Sequence, residues 1–74
     1  MTTAEEFLDF VAAVLGRDRT ALSLETAYGT VPEWDSVMHL RLVMEIEGEY
    51  GVDIPMEKVP DIRTLAAFYG FVNG

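Results

Sequence analysis

The sequence predicts a small all-α bundle of three main helices plus one short helix, with a long first loop. Three segments repeat their apolar residues at helical spacing, Thr and Asp stand at the cap positions before them, and no segment alternates convincingly at period two. At 74 residues with half of them apolar, the chain is long enough for one compact core and too short for two. A single domain over residues 1–74 is expected, since Pro and Gly fall singly between periodic segments and no repeat or low-complexity tract appears.

The first helix reads from Thr2 or Thr3 to about Leu15. Each Thr is followed three residues later by a Glu, Glu5 or Glu6, as in a capping box, and Gly16 supplies a stop. Phe7, Val11, Val14 and Leu15 form its apolar stripe, widened by Leu8, with Glu5, Glu6 and Asp9 toward solvent. Arg17 to Asp35 has no clean period and contains Gly29 and Pro32. So long a connection must be pinned by side chains, and Leu22, Leu24, Tyr28, Val31 and Trp34 are the candidates.

A second helix is expected from about Ser36 to Tyr50, capped by Asp35 and ended by Gly51, with Leu40, Val43, Ile46 and Tyr50 facing inward. Pro55 opens a short helix through about Val59, where Pro60 blocks continuation. Thr64 caps a last helix whose apolar face is Leu65, Phe68, Tyr69 and Val72.

Charge and composition narrow the function. Thirteen acidic residues against five Lys and Arg give a net charge of −8, which repels phosphate backbones and argues against nucleic acid or anionic lipid as partner. The same charge predicts a monomer. There is no cysteine, hence no disulfide, no thiolate nucleophile and no cysteine-ligated zinc. The longest apolar run, Phe10 to Leu15, is far short of the roughly 20 residues that span a bilayer. The opening Met-Thr-Thr-Ala-Glu-Glu is acidic where a secretory signal is basic and then apolar, so a cytoplasmic location away from the membrane is expected.

Ser36 is the most informative position. It stands where a loop meets a helix N-terminus, and the unpaired amides and positive dipole end there stabilise an anion by about 0.3–1 kcal/mol. On the local sequence alone, Asp35 and Ser36 sharing the capping work explains the pair better, since Ser and Asp are the usual cap residues. Ser36 and His39, three apart on one face, have the spacing of a nucleophile and base. No third orienting group accompanies them, so His39 is expected to be an exposed contact residue. The acids Glu45, Glu47, Glu49, Asp53 and Glu57 lack the spacing of a calcium loop and are expected to form a solvated face.

An acidic chain of this size with Asp35-Ser36-Val37 opening the second helix resembles an acyl or peptidyl carrier protein, in which the serine of Asp-Ser-Leu receives phosphopantetheine. The resemblance covers nearly the whole chain. It includes the first stripe, Leu24 and Tyr28, the Asp-Ser pair, the run Leu42-Val43-Met44-Glu45-Ile46-Glu47-Gly48-Glu49-Tyr50-Gly51-Val52-Asp53-Ile54-Pro55, and Thr64. It implies a four-helix carrier-protein bundle and a protein that is not an enzyme. A separate magnesium-dependent phosphopantetheinyl transferase moves the arm from coenzyme A onto Ser36, beside Asp35, and the arm's thiol then holds cargo as a thioester. The further partners it implies are a loading ligase or acyltransferase and a downstream synthase or transferase.

The departures from the family pattern bear on those partners. Val37 replaces the usual Leu and is expected to stay partly exposed as a docking contact. Fatty-acid carriers place acids along the exposed side of the second helix. Here Met38 and Arg41 occupy those places, and acids begin only at Glu45. Val37, Met38, Arg41, Met44 and Glu45 are therefore the candidate partner-binding residues, and Arg41 counts against a housekeeping fatty-acid synthase as main client. Trp34 before Asp-Ser, with His39 and Leu42-Val43, resembles discrete carriers that serve a dedicated loading enzyme in a specialised pathway. The expected cargo is a small acyl or aminoacyl group left mostly in solvent, because aromatic weight predicts a tight core. An unmodified carrier-like adaptor using the second-helix surface is the alternative.

Overall fold

The computed structural model describes residues 2–73. Three α-helices, α1 (Ala4–Leu15), α2 (Ser36–Tyr50) and α3 (Leu65–Asn73), are joined by a long loop and by a 3₁₀ helix, Met56–Asp61. A further 3₁₀ turn, Arg19–Ala21, lies within the loop.

Helix α1 starts where the sequence allows it to. Thr3 is the N-cap: its hydroxyl accepts the Glu6 N–H at 3.1 Å, and the Glu6 carboxylate accepts the Thr3 N–H at 3.0 Å, closing the capping box. Gly16, at φ 71°, ends the helix in the left-handed region that glycine enters without penalty. Phe7, Leu8, Val11, Ala12 and Leu15 are buried, and Phe7 meets Tyr69 and Tyr50 across the bundle.

Side chains pin the loop, and the five named from sequence are all in or against the core. Leu22, Val31 and Trp34 are buried, and Leu24 and Tyr28 pack against them. The loop also serves α3. The first N–H groups of a helix have no partner within it. Here the Thr26 and Leu24 carbonyls accept from the Leu65 and Ala66 N–H groups at 3.0 and 2.8 Å, and the Thr64 hydroxyl accepts from Ala67. The Tyr28 N–H donates to the Arg63 carbonyl at 2.8 Å, fixing the loop beside the start of α3. Arg17 pairs with Glu33, and Arg19 reaches back to Glu5 and Asp9 on α1. At the far end the Tyr69 hydroxyl and the Asn73 amide both donate to the Thr2 carbonyl.

Two expectations need correction. Leu40 is 50% exposed, not inward; the buried stripe of α2 is His39, Leu42, Val43 and Ile46, with Tyr50 half-buried. At the start of the helix His39 takes the inward place, held there by hydrogen bonds on both ring nitrogens, while Leu40 faces outward and Val43, Ile46 and Tyr50 face inward as expected. The short helix, in turn, runs through Pro60 to Asp61. It is built of tight turns, with Lys58 N–H to Pro55 O and Ile62 N–H to Val59 O. Pro60 lies in the first turn of the second of these, where a missing N–H leaves no bond unmade.

Candidate functional site

Asp35 has extended backbone, φ −105° and ψ −171°, and its carboxylate accepts the Met38 N–H at 2.9 Å while its carbonyl accepts from His39 at 2.8 Å. Asp35 therefore does the capping alone rather than sharing it with Ser36. Ser36 is the first residue of α2 and exposed, and no hydrogen bond among the described residues engages its hydroxyl. The hydroxyl stands at the positive end of a fifteen-residue helix, free to react.

The side of Ser36 toward the short helix opens on a groove of about 360 Å³, lined by Tyr28, His39, Leu40, Val59, Pro60, Ile62 and Arg63 together with Ser36 itself. The groove runs between the first turn of α2 and the segment leading into α3, not between α2 and the body of α3. It is an open surface feature. The interior behind it is filled by Trp34, Phe68, Leu42 and Leu65, all fully buried.

His39 is the main surprise. Expected as an exposed contact residue, it is 8% exposed. Its Nδ1 accepts the Trp34 indole N–H at 3.0 Å, so its Nε2 carries the proton and donates to the Val59 carbonyl at 2.9 Å. The ring stacks on Trp34, with Tyr28 edge-on at 5.3 Å and Phe68 tilted at 5.5 Å. Both nitrogens are committed to core partners, so the imidazole cannot take a proton from Ser36. The sequence signal was available in Trp34, an aromatic donor five residues away that needs a buried acceptor.

Of the candidate partner-binding residues, Val37, Arg41 and Met44 share one face of α2 at spacings of four and three, with Val37 76% and Met44 70% exposed. Leu40, expected inside, completes that face, and Met56 on the 3₁₀ helix is a further exposed apolar side chain. Arg41 pairs with Glu45 at 3.6 Å one turn on. Met38 stands apart: it is half-buried against the core. Among the later acids, Glu47 accepts the Ile54 N–H at 2.8 Å and so fastens the turn after α2. No group of three acids or histidines among the described residues is placed to hold a metal ion.

The model of the family described as "Phosphopantetheine attachment site" matches residues 5–72. The chain belongs to that family. Its relatives include an acyl carrier protein of Rickettsia canadensis (strain McKiel), 29% identical over 93% of this chain and 80% of that protein. A second, from Tropheryma whipplei (strain Twist), is 28% identical over 92% of this chain and 88% of its own length. Family membership makes the chain a carrier rather than a catalyst, with phosphopantetheine as its cofactor and with a phosphopantetheinyl transferase and synthases or acyltransferases as its general classes of partner. An unengaged, exposed hydroxyl at a helix N-terminus beside an open groove fits such a group. No helix of the described chain is long and apolar enough to cross a membrane.

Proposed function

We propose that Ser36 is the attachment point of the phosphopantetheine arm and that the chain is a discrete carrier of a small acyl or aminoacyl group in a specialised biosynthetic pathway. The observation that carries this reading is the division of labour at the start of α2: Asp35 caps the helix and leaves the Ser36 hydroxyl exposed and unengaged. On a transferase, the Ser36 oxygen attacks the pantetheine-bearing phosphorus of coenzyme A. One P–O bond forms, the pyrophosphate P–O bond breaks, 3′,5′-ADP leaves, and the serine proton is lost. The arm supplies the thiol that this cysteine-free chain lacks, and that thiol holds a carboxylic acid as a thioester.

The specialised role is supported by the exposed face beyond Ser36, where Val37, Leu40, Arg41 and Met44 stand. That face is apolar with one Arg–Glu pair, not a row of acids, so it suits a loading ligase or acyltransferase and a downstream synthase with apolar docking pockets. The filled core and the open groove support a small cargo carried largely in solvent, and the reading places the protein in the cytoplasm as a monomer. Incubation with coenzyme A, magnesium and a broad-specificity phosphopantetheinyl transferase tests the assignment. The chain gains one arm by intact mass and Ser36→Ala gains none. A gain in Ser36→Ala overturns the site, and no gain with several transferases favours an unmodified adaptor.

A further inference from the structure

Four of the chain's five basic residues are arginines, and three of these, Arg17, Arg19 and Arg41, are each within ion-pair distance of a carboxylate. The fourth, Arg63, has no carboxylate partner among the described residues, although the chain carries thirteen acids. Its guanidinium carbon lies 5.7 Å from the centre of the Tyr28 ring instead. Arg63 lines the groove that begins at Ser36, and it is the one charged residue among those lining it, since His39 is neutral there with both nitrogens engaged inward.

Two constraints hold Arg63 at that place. Its carbonyl accepts the Tyr28 N–H at 2.8 Å, and its side chain rests on the face of the same tyrosine. A planar guanidinium held against an aromatic ring keeps N–H groups free to donate sideways. Two parallel donors then match the oxygens of a phosphodiester or carboxylate better than a lysine ammonium does. The nearby N-terminus of α2 favours negative charge on the same side.

We propose that Arg63 is the anion-pairing residue of the groove and that it grips an oxyanion brought there through Ser36. This rests on Ser36 being the attachment point. Two groups offer the required chemistry: the phosphodiester of the arm, present in every modified molecule, and a carboxylate at the free end of a dicarboxylic cargo.

The side-chain Nε–H signal of Arg63 and the phosphorus signal of the arm separate these sources. Both are recorded on the unmodified chain, the modified chain, and chains loaded with acetyl or malonyl groups, after intact mass has verified each state. Pairing with the phosphodiester shifts the Arg63 signal on modification, with no further difference between acetyl and malonyl. Arg63→Gln then displaces the phosphorus signal and Arg63→Lys partly restores it, a pattern that a purely structural arginine does not give. Pairing with cargo leaves Arg63 unmoved on modification and shifts it with malonyl only. An Arg63 signal identical in all four states overturns the inference while leaving the modification of Ser36 intact. Absence of any mass gain removes the attachment site itself, and the inference falls with it.

Discussion

The indole N–H of Trp34 donates to Nδ1 of His39 across 3.0 Å inside the core, and the other ring nitrogen of His39 donates to the Val59 carbonyl at 2.9 Å. One imidazole thus ties together the end of the long loop, the first turn of α2 and the 3₁₀ helix. Ser36 lies one turn before it, so this junction fixes the backbone that presents the serine and one wall of the groove.

Replacing His39 by Ala leaves the buried Trp34 N–H and Val59 carbonyl without partners and opens a cavity among Trp34, Tyr28 and Phe68. The expected cost is about 2–4 kcal/mol, read as a lower urea midpoint. Because the imidazole is a structural tie and not a base, the folded fraction of His39→Ala is still modified by a phosphopantetheinyl transferase. A variant that stays folded yet resists modification contradicts this role.

How far the sequence foretold this site depends on which physical signal each residue carries. The caps at Thr3, Asp35 and Thr64, the stop at Gly16 and the apolar face of α1 are local signals, and the structure follows them. On α2 the inward positions Val43, Ile46 and Tyr50 follow hydropathy, and only the first does not, because hydropathy favours Leu40 over His39 inside. The preference reverses once Trp34 and Val59, distant in the chain or on another element, offer hydrogen bonds. The pairing of Leu24, Thr26 and Tyr28 with the start of α3 has no periodic signature either, since it joins backbone groups nearly forty residues apart. The isolated position of Arg63 over Tyr28 follows from that same pairing and was likewise invisible to a local reading.

Two glycines near the end of α2 respond oppositely to alanine. Gly48 is exposed within the helix with open space where a Cβ would go, so Gly48→Ala stabilises by about 0.5–1 kcal/mol. Gly51 has equally open space but φ 65°, so Gly51→Ala destabilises by about 1–2 kcal/mol through backbone strain alone. Thermal unfolding of the two variants, compared at the same pH, shows shifts of opposite sign.

The pH dependence has an acid and an alkaline limb of known sign. Hydrogen bonds from the Thr3 backbone N–H and then its hydroxyl hold the Glu6 carboxyl below its ordinary range. A group whose pKa is lowered by folding adds stability above its unfolded value, and that stability is lost as the pH falls through the folded one. The acid limb below about pH 4.5 is therefore shallower in Glu6→Gln. Burial first, then the Glu49 and Glu6 charges, push the Tyr50 phenol above its ordinary value. Its contribution is intact below the unfolded value and lost as the pH rises through the higher folded one, so Tyr50→Phe flattens the alkaline limb. Urea unfolding across the pH range measures both.

The apolar face beyond Ser36 gives a third kind of test. Val37→Asp and Met44→Glu change exposed side chains, so stability moves by no more than about 0.5 kcal/mol. If this face docks partners, each variant slows modification or loading by about tenfold, equivalent to about 1.4 kcal/mol of lost docking energy. Unchanged rates in both variants place the docking surface elsewhere.

The most direct test of the account is to locate the arm. The chain has only two serines, Ser23 and Ser36. Fragmentation of the modified protein by tandem mass spectrometry assigns the phosphopantetheine to one residue. The account predicts the full added mass on the fragment containing Ser36, with the Ser23 fragment unmodified. Added mass on Ser23, or on any residue other than Ser36, contradicts it.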